Sequence, residues 1–213
     1  YVSKKIAGKD FEEGYDIDSL ISNIRILRRG VLSISYFTYQ LSLDDLKATR
    51  AKISPALANI LIEGLDGIIK QLEHVQIGQV APEFSLPDTA GVSVSLSDFR
   101  RKYVLLDFLG LLVSPVRKEN PNVVKAFQQY KDKNFTIVGI SLDKDKAKWQ
   151  KAIADDHLTW AHVSDLKYWD SEIPALYGVR GIPANVLLDP NGVIIAKNIT
   201  GEDLQNTLKE VIK

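Results

Sequence analysis

Among its 213 residues the chain has no cysteine and no methionine. The first absence excludes disulfides, cysteine-held metals and thiol nucleophiles together, and leaves cysteine usage silent about compartment. The second is unusual for this length. There is no excess of either charge: Lys plus Arg and Asp plus Glu are 27 each, so the net charge is zero. Nothing in that balance would gather nucleic acid or another polyanion. Arg28-Arg29 and Arg100-Arg101-Lys102 are short clusters, read as solvated surface rather than as a basic stripe. No apolar run approaches the ~20 residues of a membrane span. The three histidines, His74, His157 and His162, show no metal spacing and are read as surface or packing residues, so neither metal nor cofactor is expected. A glycine-rich phosphate loop is missing too, because "GVRGIPAN" lacks both the spacing and the lysine. The chain begins at Tyr1 with neither an initiator methionine nor a signal-peptide pattern, the expectation for a mature or trimmed product.

What is present is ordinary globular composition, 45% hydrophobic and 25% charged, enough for one sizeable core with or without an appendage. Residues 1–76 read as helical. Leu20, Ile21, Ile24, Leu27, Val31 and Leu32 follow a helical period, weakened in the middle by Gly30. Ser42 followed by Asp45 is a capping box opening a helix that ends near Ile53. Ser54-Pro55 is a cap and first-turn proline opening another, to about His74. Gly78, Pro82, Pro87 and Gly91 then punctuate short alternating segments, which predicts a boundary near 76–80 and a hairpin around Asp88–Gly91.

From there strands and helices alternate. Strands are predicted over 103–109 and 135–142, helices over 115–130, 144–156 and 171–177. A hairpin of 184–189 with 193–197 turns through Pro190-Asn191-Gly192, and a last helix covers 202–212. A βαβ unit followed by ββα builds a mixed sheet flanked by helices on both faces, an α/β domain over 77–213. Trp149, Trp160 and Trp169 fall in the long stretch between the two units and are read as core or rim packing.

Within this order "YVLLDFLGLLVSPVRKENPNVV", 103–124, stands out. An apolar strand carrying one acid, Asp107, runs into Val113-Ser114-Pro115-Val116 and at once into a helix. The apolar neighbours of Asp107 predict that it is buried, and burial raises a carboxyl's proton affinity. Ser114 and Pro115 suit the N-cap and first turn; Ser114 as a nucleophile finds no histidine at a recognisable partner position. Pro121 breaks the helical hydrogen bonding one turn on.

The blocks "GQVAPEFSLPDTAGVSVSLSDFRRKYVLLDF", "RKENPNVVKAFQQYKDKNFTIVGISLD" and "YGVRGIPANVLLDPNGVIIAK", in this order, resemble the thioredoxin fold. The closer likeness is to TlpA-like thiol–disulfide oxidoreductases, relatives of the AhpC/TSA proteins. The likeness covers about 75–213, with 143–181 resembling the helical insertion of the TlpA-like branch. The helical N-terminal region resembles a segment that precedes this domain in envelope proteins of Bacteroidetes-type bacteria. The resemblance implies a cell-envelope or periplasmic setting and a protein or peptide substrate or redox partner. It puts the catalytic cysteine pair at Val113 and Val116, a proton-handling acid at Asp107 and a cis-proline at Pro183. Leu112, Ser114, Pro115 and Ile182 then line the substrate groove. Both cysteine positions are valine, and the preceding tryptophan position is Leu112. The implied activity is therefore absent from the chain as written. The alternative is a natural pseudo-enzyme that binds peptide or protein partners through the Pro-loop groove, with Val113 and Val116 as an apolar contact patch. A third possibility is a structural role carried by the N-terminal helices.

Overall fold

The computed structural model describes residues 42–52, 59–110 and 114–212. The helical reading of 16–40 lies outside the described residues. By backbone contacts the chain divides into two compact units, Tyr1–Lys70 and Gln71–Lys213. In the first, α1 (Leu43–Lys52) begins on the capping box read from the sequence. The Asp45 amide donates to Ser42 Oγ at 3.1 Å and the Ser42 amide donates to Asp45 Oδ2 at 3.1 Å. Arg50 and Asp66, the latter on α2 (Asn59–Glu73), form a two-pronged ion pair at 2.6 and 3.2 Å.

The second unit is built on a five-stranded sheet. Its strands are β3 (Tyr103–Leu109), β4 (Phe135–Ser141), β5 (Ala161–Val163), β6 (Ala184–Leu188) and β7 (Ile194–Lys197), in the spatial order β5-β4-β3-β6-β7. β3, β4 and β5 are parallel; β6 and β7 run the other way and back. A separate hairpin, β1 (Ser85–Pro87) with β2 (Ser93–Ser95), precedes the sheet. The three-residue strand β5 was not foreseen. It is too short to show an alternation, and only its pairing with β4 identifies it.

Apolar layers cover both faces of the sheet, so β3 is buried along nearly its whole length and reads as an apolar run broken only by Asp107. Leu105 and Leu109 face α3 (Ser114–Tyr130), α4 (Lys146–Asp155) and α6 (Gly201–Val211), through Val116, Val123, Trp149, Leu204 and Leu208. Val104, Leu106 and Phe108 face the other way, onto Phe84, Leu86, Leu96 and Tyr177. Tyr177 follows the short α5 (Glu172–Leu176) and its ring lies 5.6 Å from that of Phe108 and 6.1 Å from that of Phe84.

The two hairpins share one turn chemistry. Asp88 Oδ1 accepts from the amides of Ala90 and Val92, each at 2.8 Å, and Asp189 Oδ1 accepts from those of Asn191 and Val193, each at 2.8 Å. Glycine completes each turn at positive φ, Gly91 at +88° and Gly192 at +81°. Over Gly192 lies the Arg100 guanidinium, 1.5 Å from where a Cβ would stand, paired with Glu83 and donating to the Asn191 carbonyl.

Phe108 is fully buried between strands and Tyr177. Phe108→Ala is expected to cost about 3–5 kcal/mol of stability, read as a lower urea midpoint at unchanged slope.

Candidate functional site

The site lies at one end of the sheet, in line with its central strand. β3 ends there, α3 begins there, and the loop before β6 returns there, because β6 runs antiparallel to β3 with Ala184 opposite Phe108. Leu112 and Val113 lie outside the described residues. Ser114 and Pro115 are the first two residues of α3. The Ile182–Pro183 peptide, immediately before β6, is cis, and Arg180 to Pro183 are half-buried.

α3 presents one stripe to the sheet. Val116, Asn120, Val123 and Tyr130, spaced at helical intervals, are all buried. Val116 is 2% exposed and packed with Leu105 and Leu109. As part of a contact patch for a partner it therefore fails: the helical period turns it into the core. Asn120 is a polar residue in that stripe and reaches sideways, its Nδ2 donating to Asp156 Oδ2 at 2.7 Å. Arg117 closes on the same carboxylate at 2.5 and 3.2 Å, so the residue after α4 pins the first turns of α3. Pro121 lies inside the helix and removes the amide that would bond the Arg117 carbonyl.

Beneath α3 runs a polar row. Asp107 is the register partner of Gly139 on β4 and of Asn185 on β6; Gly139 is in turn the partner of His162 on β5. In-register partners project to one face. Asn185, Asp107, Gly139 and His162 thus form a line across four strands, on the face that holds Leu105 and Leu187 against α3. Asn185 is committed to the chain after β7: its Nδ2 donates to the Ile199 carbonyl at 2.7 Å and its Oδ1 accepts from the Ile199 amide at 3.0 Å.

Asp107 is 6% exposed. Burial, followed by the negative charge of Glu119, pushes its pKa up to about 7. Glu119 is held on α3, with Oε1 accepting from the Gly201 amide at the start of α6, 2.7 Å away, and Oε2 accepting from Asn122 at 3.1 Å. His162 is 4% exposed, and burial pushes its pKa down to about 4. Among the described residues no group of three or more histidines, cysteines and acids could hold a metal ion, and no helix is long and apolar enough to cross a membrane.

Residues 77–197 match the AhpC/TSA family. The chain belongs to it. Among curated relatives, the thiol-disulfide oxidoreductase ResA of Bacillus cereus is 30% identical over 147 residues, 69% of this chain and 83% of that protein. Among solved structures, the thioredoxin domain of a Bacteroides vulgatus thiol-disulfide oxidoreductase is 40% identical. It superposes with a TM-score of 0.61 over 65% of this chain and 99% of that one. A Bacteroides fragilis thiol-disulfide oxidoreductase is 39% identical, with a TM-score of 0.60 over 63% of this chain and 100% of that one. The fold is that of the thioredoxin-like members of the AhpC/TSA family, TlpA-like in type.

Two residues that bear on this row could not be picked out from the sequence. No pattern in the sequence singles out Glu119, whose proximity to the start of α6 spans 82 positions. His162 reads as a scattered surface or packing residue, and only the β4–β5 register places it in the row of Asp107.

The two buried groups pull stability in opposite directions. Asp107 binds its proton more tightly folded than unfolded, so stability falls as pH rises from about 3.8 to about 7. His162 binds its proton less tightly folded than unfolded, so stability falls as pH drops from 6.5 to about 4. In the shared window the slopes cancel. Asp107→Asn removes one of them. The variant is expected to gain roughly 2–4 kcal/mol over the parent at pH 8, and to lose stability steadily between pH 6.5 and 4 where the parent is flat, as measured by urea unfolding.

Proposed function

We propose that this chain is a thiol–disulfide oxidoreductase relative that keeps the scaffold and lacks the exchange chemistry. One observation carries this: there is no cysteine in 213 residues. Thiol–disulfide exchange begins with a thiolate attacking a disulfide sulfur and ends when a second thiolate resolves the mixed disulfide. The family resemblance assigns those parts to positions 113 and 116, which are valine here. A branched hydrocarbon neither ionises nor attacks, however well a helix N-terminus would stabilise an anion beside it. Asp107 then remains as a buried acid with no thiol to serve.

The finer reading follows the same resemblance. It divides the chain into an N-terminal region over 1–76 and a thioredoxin-like domain over 77–213. An extended polypeptide, substrate or redox partner, would meet the site along Ile182 and Pro183, by backbone hydrogen bonds of strand type. Leu112, Ser114 and Pro115 would lie on the opposite wall. The setting we infer is the cell envelope. The groove reading is favoured by the half-exposed loop from Arg180 to Pro183.

Insulin reduction by a dithiol tests the main claim. The chain should leave the rate at the buffer background, while Val113→Cys combined with Val116→Cys should raise it at least about tenfold. Acceleration by the unsubstituted chain would overturn the claim of inactivity. Failure of the folded double variant to accelerate would overturn the claim that the scaffold is otherwise competent.

A further inference from the structure

The row beneath α3 holds a second ionisable group that the reading above does not use. An ideal Cβ at Gly139 would lie 2.4 Å from His162 Nδ1 and 2.8 Å from Cε1. The imidazole therefore fills the space that any side chain at 139 would need. Asp107 is the next residue in the row, one strand spacing of about 4.8 Å beyond Gly139. No side chain stands between the carboxyl and the ring in this row. Trp160 stacks on the ring, 5.6 Å between centroids at 28°, which restricts how it can turn.

Both ring nitrogens are buried, and neither meets a hydrogen-bond partner. A buried polar pair left in that condition is costly, and such groups are found where a proton or a partner comes and goes. The surroundings narrow the choice of partner. Asn185 is occupied by Ile199. Glu119, from α3, bears on Asp107 through its charge alone. On His162 the Leu158 backbone favours the protonated ring by less than burial disfavours it, and no charged side chain among the described residues offsets the burial. The acid nearest to the ring in the row is Asp107.

We propose that Asp107 and His162 form one proton-binding unit across Gly139, in which His162 is the positioning residue that sets how readily Asp107 releases its proton. The step is balanced within the row. When the Asp107 O–H breaks, the proton either leaves to solvent or forms an N–H bond on His162, giving a carboxylate beside an imidazolium with no change in total charge. Gly139 is the structural requirement, since a side chain there would part the two groups. The proposal rests on the register of β3, β4 and β5. It does not depend on the groove or on the state of positions 113 and 116, so failure of the insulin test leaves it standing.

Nuclear magnetic resonance titration of the full chain decides it, following the Asp107 carboxyl carbon and the His162 ring. In the unsubstituted chain the His162 ring signal is expected to move together with the Asp107 carboxyl signal at a midpoint near pH 7, apart from the ring's own protonation near pH 4. A His162 ring that stays flat through the Asp107 transition overturns the proposal. His162→Phe, which keeps an aromatic ring against Trp160, should move the Asp107 midpoint upward by about half a pH unit or more. An unmoved midpoint in that variant overturns it too. Glu119→Gln should move the same midpoint downward and shows that the signal reports on charge. Should His162→Phe fail to fold, the shared midpoint in the unsubstituted chain decides alone.

Discussion

β3 is hydrogen-bonded along both edges, to β4 on one side and β6 on the other, and is covered on both faces by apolar side chains. A strand in that position tolerates almost nothing polar, because its side chains are largely cut off from water. Asp107 breaks the rule in the middle of the strand. The carboxyl can stay there because the protonated form carries no charge to bury. The rest of the site arranges itself around that constraint: a row of small or polar residues beside it, an apolar helix stripe above it, and a fixed negative charge one layer out. The constraint also explains why Val116 is quiet. On a helix packed against this strand, the position four residues before Asn120 points inward whatever residue occupies it.

The domain is reinforced at its borders rather than at its centre. Asp156 receives Arg117 and Asn120 and so fixes the first turns of α3 against the end of α4. Asn185 ties β6 to the chain after β7 through both ends of its amide. Arg100 sits over Gly192 and holds the tip of the last hairpin. These contacts are short in space and long in sequence, and each uses a side chain whose alternative is water. The ion pairs of Arg117 and Arg100 among them confer geometry more than stability, since exposed ion pairs contribute little on their own.

Much of this fold could be read from the chain. The run of 103–109, apolar but for Asp107, announced a strand covered on both sides. The Asp-x-x-Gly turns announced hairpins, and Ser42 with Asp45 announced a helix start that the structure contains. Asp107 could be placed inside because its neighbours on both sides are apolar. What could not be read is pairing. β5 is three residues long and has no period of its own. The row that joins Asp107 to His162 exists only once three strands are in register, and Glu119 meets the start of α6 only after the domain has closed. Sequence pattern reports which face a residue occupies; it does not report who else occupies that face.

Glu119 does not stand alone on α3. Its carboxylate is fastened to the first amide of α6, the eleven-residue helix Gly201–Val211. The last helix of the fold is therefore an electrostatic tether for the centre of the sheet. Anything that unwound it, whether proteolysis, truncation or a mechanical pull on the carboxyl end, would free that carboxylate to swing toward solvent. The repulsion felt by the interior acid would then slacken, so a disturbance at the far end of the chain would be registered at its core.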